Sequence, residues 1–321
     1  MLPLLLLAIA TKTETIKIPS PIPGLELALH HEFAVGATDG PRPVVLFSEG
    51  SLVPTAGNAA FKIDGLSWMD DLAQHGYDVW SFDYLGYGES SRYGRGADSA
   101  AGGPVACAAQ LERAARYILQ RQHVATLFVI GDSFGTEVAG VFATRAGDLI
   151  DRLVLFAPVT PVAPDKRADA KADTTPIAAR GYVTPGDIWT VYASWLPRGE
   201  QAGIDRDSFL NVWGRVYLAT DPTSGSRTPP SVQVTTGPDV DDREIAAGHF
   251  PYDPSQIRVP TMILMGEWDV VATQDGAKRL FDGLTNAPLK RWIVIGGGTH
   301  IVQLERRSRE QAFDEVRAFL R

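Results

Sequence analysis

Along most of this chain, short runs in which nearly every position is apolar alternate with longer segments whose apolar residues recur every three or four positions. Pro43-Val44-Val45-Leu46-Phe47, Thr126-Leu127-Phe128-Val129-Ile130, Leu153-Val154-Leu155-Phe156 and Thr261-Met262-Ile263-Leu264-Met265 are such runs. A run apolar on both sides reads as a strand buried on both faces. Tyr77-Asp78-Val79-Trp80-Ser81-Phe82 and Arg291-Trp292-Ile293-Val294-Ile295 read as two more strands, and residues 25–35 as an early antiparallel one. Between them, Trp68, Met69, Leu72 and Ala73 make a helical face that stops at Gly76, and residues 105–121 form a long amphipathic helix. Val138, Val141 and Phe142, interleaved with the small Gly135, Ala139, Gly140 and Ala143, predict a helix packed closely on a sheet. Helices follow around 277–284 and over the segment that carries Phe313, Val316, Phe319 and Leu320. This alternation predicts an α/β fold, a mostly parallel sheet with helices on both faces.

The alternation fails between residues 159 and 259. Residues 161–180 are rich in Ala, Asp, Lys and Pro, and residues 220–230 in Pro, Ser, Gly and Thr. Between these stretches Ile188, Trp189, Tyr192, Trp195, Leu196, Phe209, Val212, Trp213 and Tyr217 have helical spacing. The expected organisation is a core built from 1–158 and 260–321, with 159–259 as an inserted, mainly helical cap. No internal repeat is visible.

Composition narrows the function. A net charge of -8 without a basic cluster argues against a nucleic-acid or anionic-membrane surface. The single cysteine, Cys107, excludes an intrachain disulfide, and its place beside Leu111, Ala115 and Ile118 on one helix face marks it as packing. The six histidines show neither HxH nor HExxH spacing, so no metal and no cofactor is expected. His249 reads as a residue packed between cap and core. The apolar stretch 2–10 is too short to span a bilayer and lacks a basic start, while Ala8-Ile9-Ala10 would suit a cleavage site. It leaves open a cytoplasmic protein with a hydrophobic arm or an exported one. The expected partner is a small molecule, and the expected state a monomer or homodimer.

The chemistry is carried by Gly131-Asp132-Ser133-Phe134-Gly135, directly behind a strand and ahead of a helix. A serine on so tight a turn stands free of the sheet in a strained conformation, with a helix N-terminus favouring developing negative charge. A serine hydroxyl needs a base oriented by a third group. His300, after Gly296-Gly297-Gly298-Thr299, and Asp269, ending Gly266-Glu267-Trp268-Asp269, each follow a strand, 167 and 136 residues beyond Ser133. All three stand at C-terminal strand ends, where open α/β sheets place their sites. Glu267 is the nearest rival acid, but strand alternation projects it elsewhere.

The order serine, acid, histidine, the Gly-x-Ser-x-Gly turn, the Gly86-Tyr87-Gly88-Glu89-Ser90 run after Asp83, and the inserted block resemble the α/β-hydrolase superfamily, in particular its capped, serine-nucleophile, esterase-like branch. The resemblance implies an eight-stranded, mostly parallel sheet. It also implies Ser133 as nucleophile, His300 as general base and then acid, and Asp269 as the group orienting the ring. Haloalkane dehalogenases and epoxide hydrolases of this fold use an aspartate nucleophile, which this chain lacks. Where the family usually has His-Gly at the end of the first buried strand, this chain has Glu49-Gly50. The N–H groups of Ser51 and Phe134 are the expected oxyanion hole, and Glu49 is expected to point away from it or be paired. Asp132 is expected to bond a neighbouring loop, or else to tune the local field. Leu52, Trp189, Trp195 and Trp213 are candidate pocket residues. The expected activity is hydrolysis of small to medium apolar carboxylic esters through an acyl-enzyme on Ser133. Lactonase, thioesterase, amidase and C–C hydrolase readings share the same three residues, and a ligand-binding protein with slow turnover is the alternative of another class.

Overall fold

The computed structural model describes residues 10–36, 42–94, 96–166, 175–178 and 180–321. The apolar stretch 2–10 thus lies outside them except for Ala10, as do 167–174 and Ala179 of the Ala-, Asp-, Lys- and Pro-rich stretch 161–180.

Alternation along the strands divides their side chains between two apolar layers. The early elements are β1 (Thr11–Pro19), β2 (Glu26–Ala34), β3 (Val44–Ser48), helix α1 (Trp68–Gln74) and β4 (Asp78–Asp83). Helix α2 (Pro104–Gln122), β5 (Leu127–Asp132), α3 (Phe134–Ala146) and β6 (Ile150–Phe156) follow. Val44 and Leu46 of β3, Val129 of β5 and Leu153 and Leu155 of β6 join the layer that contains Leu111 and Ile118 of α2 and Val138 and Phe142 of α3. Val45, Phe47, Phe128, Ile130, Val154 and Phe156 point the other way, toward Met69 and Leu72 of α1. Both faces of each strand are thereby removed from water, which is why these segments lack polar positions.

After the inserted segment the sheet resumes with β9 (Thr261–Gly266), α8 (Gln274–Gly283), β10 (Lys290–Ile295) and α9 (Arg309–Leu320), counting β7 (Arg180–Val183) and β8 (Val232–Thr235) within the insertion. The eight strands run in the order β1-β2-β4-β3-β5-β6-β9-β10. The pairs from β4 through β10 are parallel, whereas β1–β2 and β2–β4 are antiparallel. This is the expected mostly parallel, eight-stranded sheet with helices on both faces.

Strand β1 is an addition to the sequence reading. Thr-Lys-Thr-Glu-Thr-Ile-Lys-Ile contains no apolar run, because this edge strand buries little beyond Ile18. Its charged positions suit an exposed edge that must not pair with another chain.

Between β6 and β9 stand α4 (Pro185–Trp195), the short α5 (Arg206–Ser208), a π-helical turn Phe209–Trp213, α6 (Gly214–Ala219) and α7 (Gly237–Ala246). Helix α4 starts where Thr184 accepts from the Asp187 N–H while Asp187 accepts from the Thr184 N–H, a capping box reinforced by Pro185. Strands β7 and β8 pair antiparallel, so the segment is helical with a small sheet of its own. Phe209, Trp213 and Tyr217 stack at successive helical turns, with ring centroids 4.4 and 4.9 Å apart. His249 does not pack against the core as its sequence position suggested. It is exposed and paired with Glu244 at 2.8 Å, while Phe250 and Tyr252 supply the apolar contact.

Candidate active site

Strand β5 ends at Asp132 and α3 begins at Phe134, leaving Ser133 alone to reverse the chain with φ 52° and ψ -121°. A positive φ is costly for a residue with a side chain and persists only where the surroundings impose it. The neighbouring glycines show how. A Cβ on Gly131 would lie 2.6 Å from the Gly135 carbonyl oxygen, and one on Gly135 would overlap the Ser48 carbonyl of β3. Only with both positions bare can the α3 terminus press against the sheet and hold Ser133 out. The Ser133 N–H bonds the Phe156 carbonyl at 2.9 Å, tying the turn to β6.

His300 follows the glycine turn after β10, and its loop is stitched to the one after β9 by the Trp268 N–H on the Gly298 carbonyl at 2.8 Å. His300 Nε2 lies 2.8 Å from Ser133 Oγ, and its Nδ1 lies 2.9 Å from Asp269 Oδ2. Asp269 is buried, and its Oδ1 accepts the N–H groups of Val271 and Ala272 at 2.9 and 2.8 Å. A carboxylate at Nδ1 keeps the proton there and turns the Nε2 lone pair toward the hydroxyl. Burial favours the neutral ring of His300, but the charge and hydrogen bond of Asp269, with the charge of Asp132, outweigh it and raise the imidazole above its ordinary value. Glu267 instead accepts the Gly297 N–H at 2.8 Å, away from His300.

The turn through Gly50 and Ser51 passes directly beside the serine: a Cβ on Gly50 would stand 3.4 Å from Ser133 Cβ. Among the described residues no hydrogen bond uses the N–H of Ser51 or of Phe134. Glu49 faces the opposite way, accepting from Ser81 Oγ and Asn58 Nδ2, each at 2.7 Å. Burial pushes its carboxyl up to about 8, with the charges of Asp132 and Asp83 adding and the hydrogen bonds from Ser81 and Asn58 opposing. At neutral pH Glu49 is therefore largely uncharged. Asp132 also turns inward, to Asn58 Nδ2 at 2.6 Å and Gln303 Nε2 at 3.3 Å. Asp83 supports the turn Thr55–Gly57 by accepting the Thr55 N–H at 3.1 Å, and it pairs with His30 at 2.9 Å.

A cavity of about 510 Å³ opens onto Ser133 and His300. Leu52, Val53, Val183, Ile188, Val191 and Trp195 give it an apolar wall, with Asp187 and Asp242 also lining it. Trp195 meets the His300 ring edge-on at a centroid distance of 5.3 Å. Trp213 lines the cavity, but it is buried in the aromatic stack and donates its indole N–H to the Gly57 carbonyl at 2.7 Å. Trp189 packs on Tyr192 and Phe209 and is not part of the lining. Asn58 and Gln303, which the sequence reading passed over, also line it. A larger cavity of about 890 Å³, bordered by Lys17, His30, Arg92 and Arg180, contains none of Ser133, Asp269 and His300. Among the described residues no three His, Cys, Asp or Glu side chains group as metal ligands, and no helix is long and apolar enough to cross a membrane.

Solved structures similar to this chain include a thermophilic esterase from Thermogutta terrifontis, at 18% identity and a TM-score of 0.56, covering 96% of this chain and 98% of that one. The thioesterase domain from the curacin biosynthetic pathway is similar at 16% identity and a TM-score of 0.60, covering 96% and 99%. The enol-lactonase from Burkholderia xenovorans LB400 is similar at 17% identity and a TM-score of 0.58, covering 93% and 98%. Likeness at these identities is one of fold. No curated protein matches the chain. The family described as the alpha/beta hydrolase fold matches residues 56–307, which span β4 through β10 and every residue of the serine, acid and histidine constellation, and this chain belongs to it.

Proposed function

We propose that the protein is a serine hydrolase of carboxylic esters with small to medium apolar acyl groups. The observation that carries this reading is the continuous chain from Ser133 Oγ to His300 Nε2 at 2.8 Å and from His300 Nδ1 to Asp269 Oδ2 at 2.9 Å, on a serine held at positive φ. Ser133 Oγ attacks the ester carbonyl carbon while His300 Nε2 takes its proton. The carbonyl oxygen becomes an oxyanion facing the Ser51 and Phe134 N–H groups. His300 then returns the proton to the departing alkoxide, and the C–O bond to the alcohol breaks. Water enters, gives a proton to His300 and attacks the acyl carbon. The bond to Ser133 Oγ breaks, and the proton passes from His300 to that oxygen.

The inserted segment 159–259 acts in this reading as a cap that shapes the acyl pocket. The volume of about 510 Å³ falls within the usual range for small-molecule sites. The apolar side chains around it favour an uncharged acyl chain over a carboxylate-bearing one.

The test is steady-state hydrolysis of p-nitrophenyl esters from acetate to decanoate by the wild type and by Ser133→Ala. Serine-dependent turnover with an optimum chain length supports the esterase reading. Turnover unchanged in Ser133→Ala refutes it, and its absence from the wild type favours a thioester, lactone, C–C or binding role.

A further inference from the structure

Three loops must be held in register for the proposed chemistry, and one side chain touches all three. Asn58 is buried just after the turn Thr55–Gly57. Its Nδ2 donates to Glu49 Oε2 at 2.7 Å and to Asp132 Oδ2 at 2.6 Å. Its Oδ1 accepts from Gln303 Nε2 at 2.8 Å. Glu49 precedes Ser51 by two positions and Asp132 precedes Phe134 by two, so the two arms of one amide reach the two segments that supply the oxyanion N–H groups. Gln303, three positions after His300, secures the histidine loop and also reaches Asp132 at 3.3 Å.

The amide is itself fixed from outside. Thr55 is held by Asp83 through its N–H and by Ser81 through its hydroxyl at 2.8 Å, and the Gly57 carbonyl accepts from Trp213 of the inserted segment. Among side chains of this size, a carboxylate lacks the two donors, a hydroxyl offers one, and an aliphatic group offers none.

We propose that Asn58 is a positioning residue that sets the spacing of the Ser51 and Phe134 N–H groups through Glu49 and Asp132, and anchors the His300 loop through Gln303. The proposal rests on the reading of Ser133 as nucleophile. It also gives Glu49 a use at the position where a charged carboxylate would oppose an oxyanion: with its carboxyl turned back onto Asn58, it serves as a tether.

A residue that only supports the fold would lower activity equally at every pH. A positioning residue bonded to Asp132 does more. Burial drives the Asp132 carboxyl up to about 6, while the Asn58 hydrogen bond and the positive charge of His300 pull it down and the charge of Asp269 pushes it up. Without Asn58, Asp132 holds its proton to higher pH. His300, whose imidazole is raised in part by the Asp132 charge, then loses its own proton at lower pH.

The experiment compares wild type, Asn58→Leu and Gln303→Leu on one p-nitrophenyl ester across pH, with thermal melting as the check on folding. Asn58→Leu is expected to lose about 10²-fold in kcat, as for a roughly 1 Å misplacement, with little change in KM and an acid limb moved to lower pH. Gln303→Leu, which removes the longer bond to Asp132 but keeps the Asn58 donors on both carboxylates, is expected to lose about tenfold. A folded Asn58→Leu with wild-type kcat and an unmoved limb overturns the proposal, as does a fall in kcat equal at all pH values. If Asn58→Leu does not fold, wild-type kcat in Gln303→Leu overturns it. If the wild type turns over no ester, the ester reading fails, and the rate of Ser133 labelling by a fluorophosphonate carries the same comparison. A wild type that does not label overturns both readings.

Discussion

The sheet and the inserted segment meet at the same cavity but build it by different means. The sheet supplies Ser133, Asp269 and His300 from strand ends, and backbone geometry places each one: a positive φ at Ser133, two N–H groups on the Asp269 carboxylate, a glycine turn before His300. The insertion supplies side-chain surface. Phe209, Trp213 and Tyr217 form its spine, and it reaches the core through a few polar links, such as Tyr192 on Glu305 at 3.0 Å, whose carboxylate also accepts the Thr299 N–H beside His300 at 2.9 Å. Reactivity should therefore depend on the sheet, and preference among substrates on the insertion.

The largest expected effect lies on the sheet side. Asp269→Asn should lower kcat by about 10⁴, because the amide no longer holds the productive tautomer. Asp269 also raises the His300 imidazole, and the base works only when deprotonated. In wild type the acid limb of kcat/KM should therefore lie above the ordinary histidine value, and in the variant residual activity should persist to lower pH. A loss below tenfold would transfer the role to another carboxylate.

The next effect tests the other side. Trp195→Ala should enlarge the cavity beside His300 and shift the ranking of acyl chain lengths, by about 10-fold in relative kcat/KM between short and long esters. Trp189→Ala should leave the ranking unchanged, since that ring lies within the aromatic cluster and outside the lining. A changed ranking from Trp189→Ala alone would break the division between spine and wall.

The smallest effect concerns stability. The Glu49 carboxyl is raised from 4.5 to about 8 in the folded protein. Its contribution to stability is full below the unfolded value and is lost as pH rises toward 8, because the unfolded chain ionises first. Melting followed from pH 5 to 8 should show wild type falling relative to Glu49→Gln, by roughly 5–10 °C. Parallel curves would mean that Glu49 stays charged in the fold.

Much of the sheet was legible because its strands are buried on both faces and leave unbroken apolar runs, as in Val44-Val45-Leu46-Phe47. The three residues of the candidate site were legible because each follows such a run at a glycine-bearing turn. Asn58 gave no comparable signal: its partners Asp132 and Gln303 are 74 and 245 residues away, and Pro54-Thr55-Ala56-Gly57-Asn58 reads as an ordinary loop. β1 is a polar edge without an apolar run, and β7 and β8, strands of four residues, carry too few positions to show alternation. For His249 the residue type says little about direction after a turn: Gly248, at positive φ just beyond α7, sends it into solvent.

The central claim is that Ser133 is an activated nucleophile in a competent oxyanion site. It is tested most directly by intact-mass measurement after incubation with a fluorophosphonate, with peptide mapping of the product. The account predicts one adduct per chain, on Ser133, absent from Ser133→Ala and formed far more slowly in His300→Ala. No adduct, or one on another residue, would contradict it.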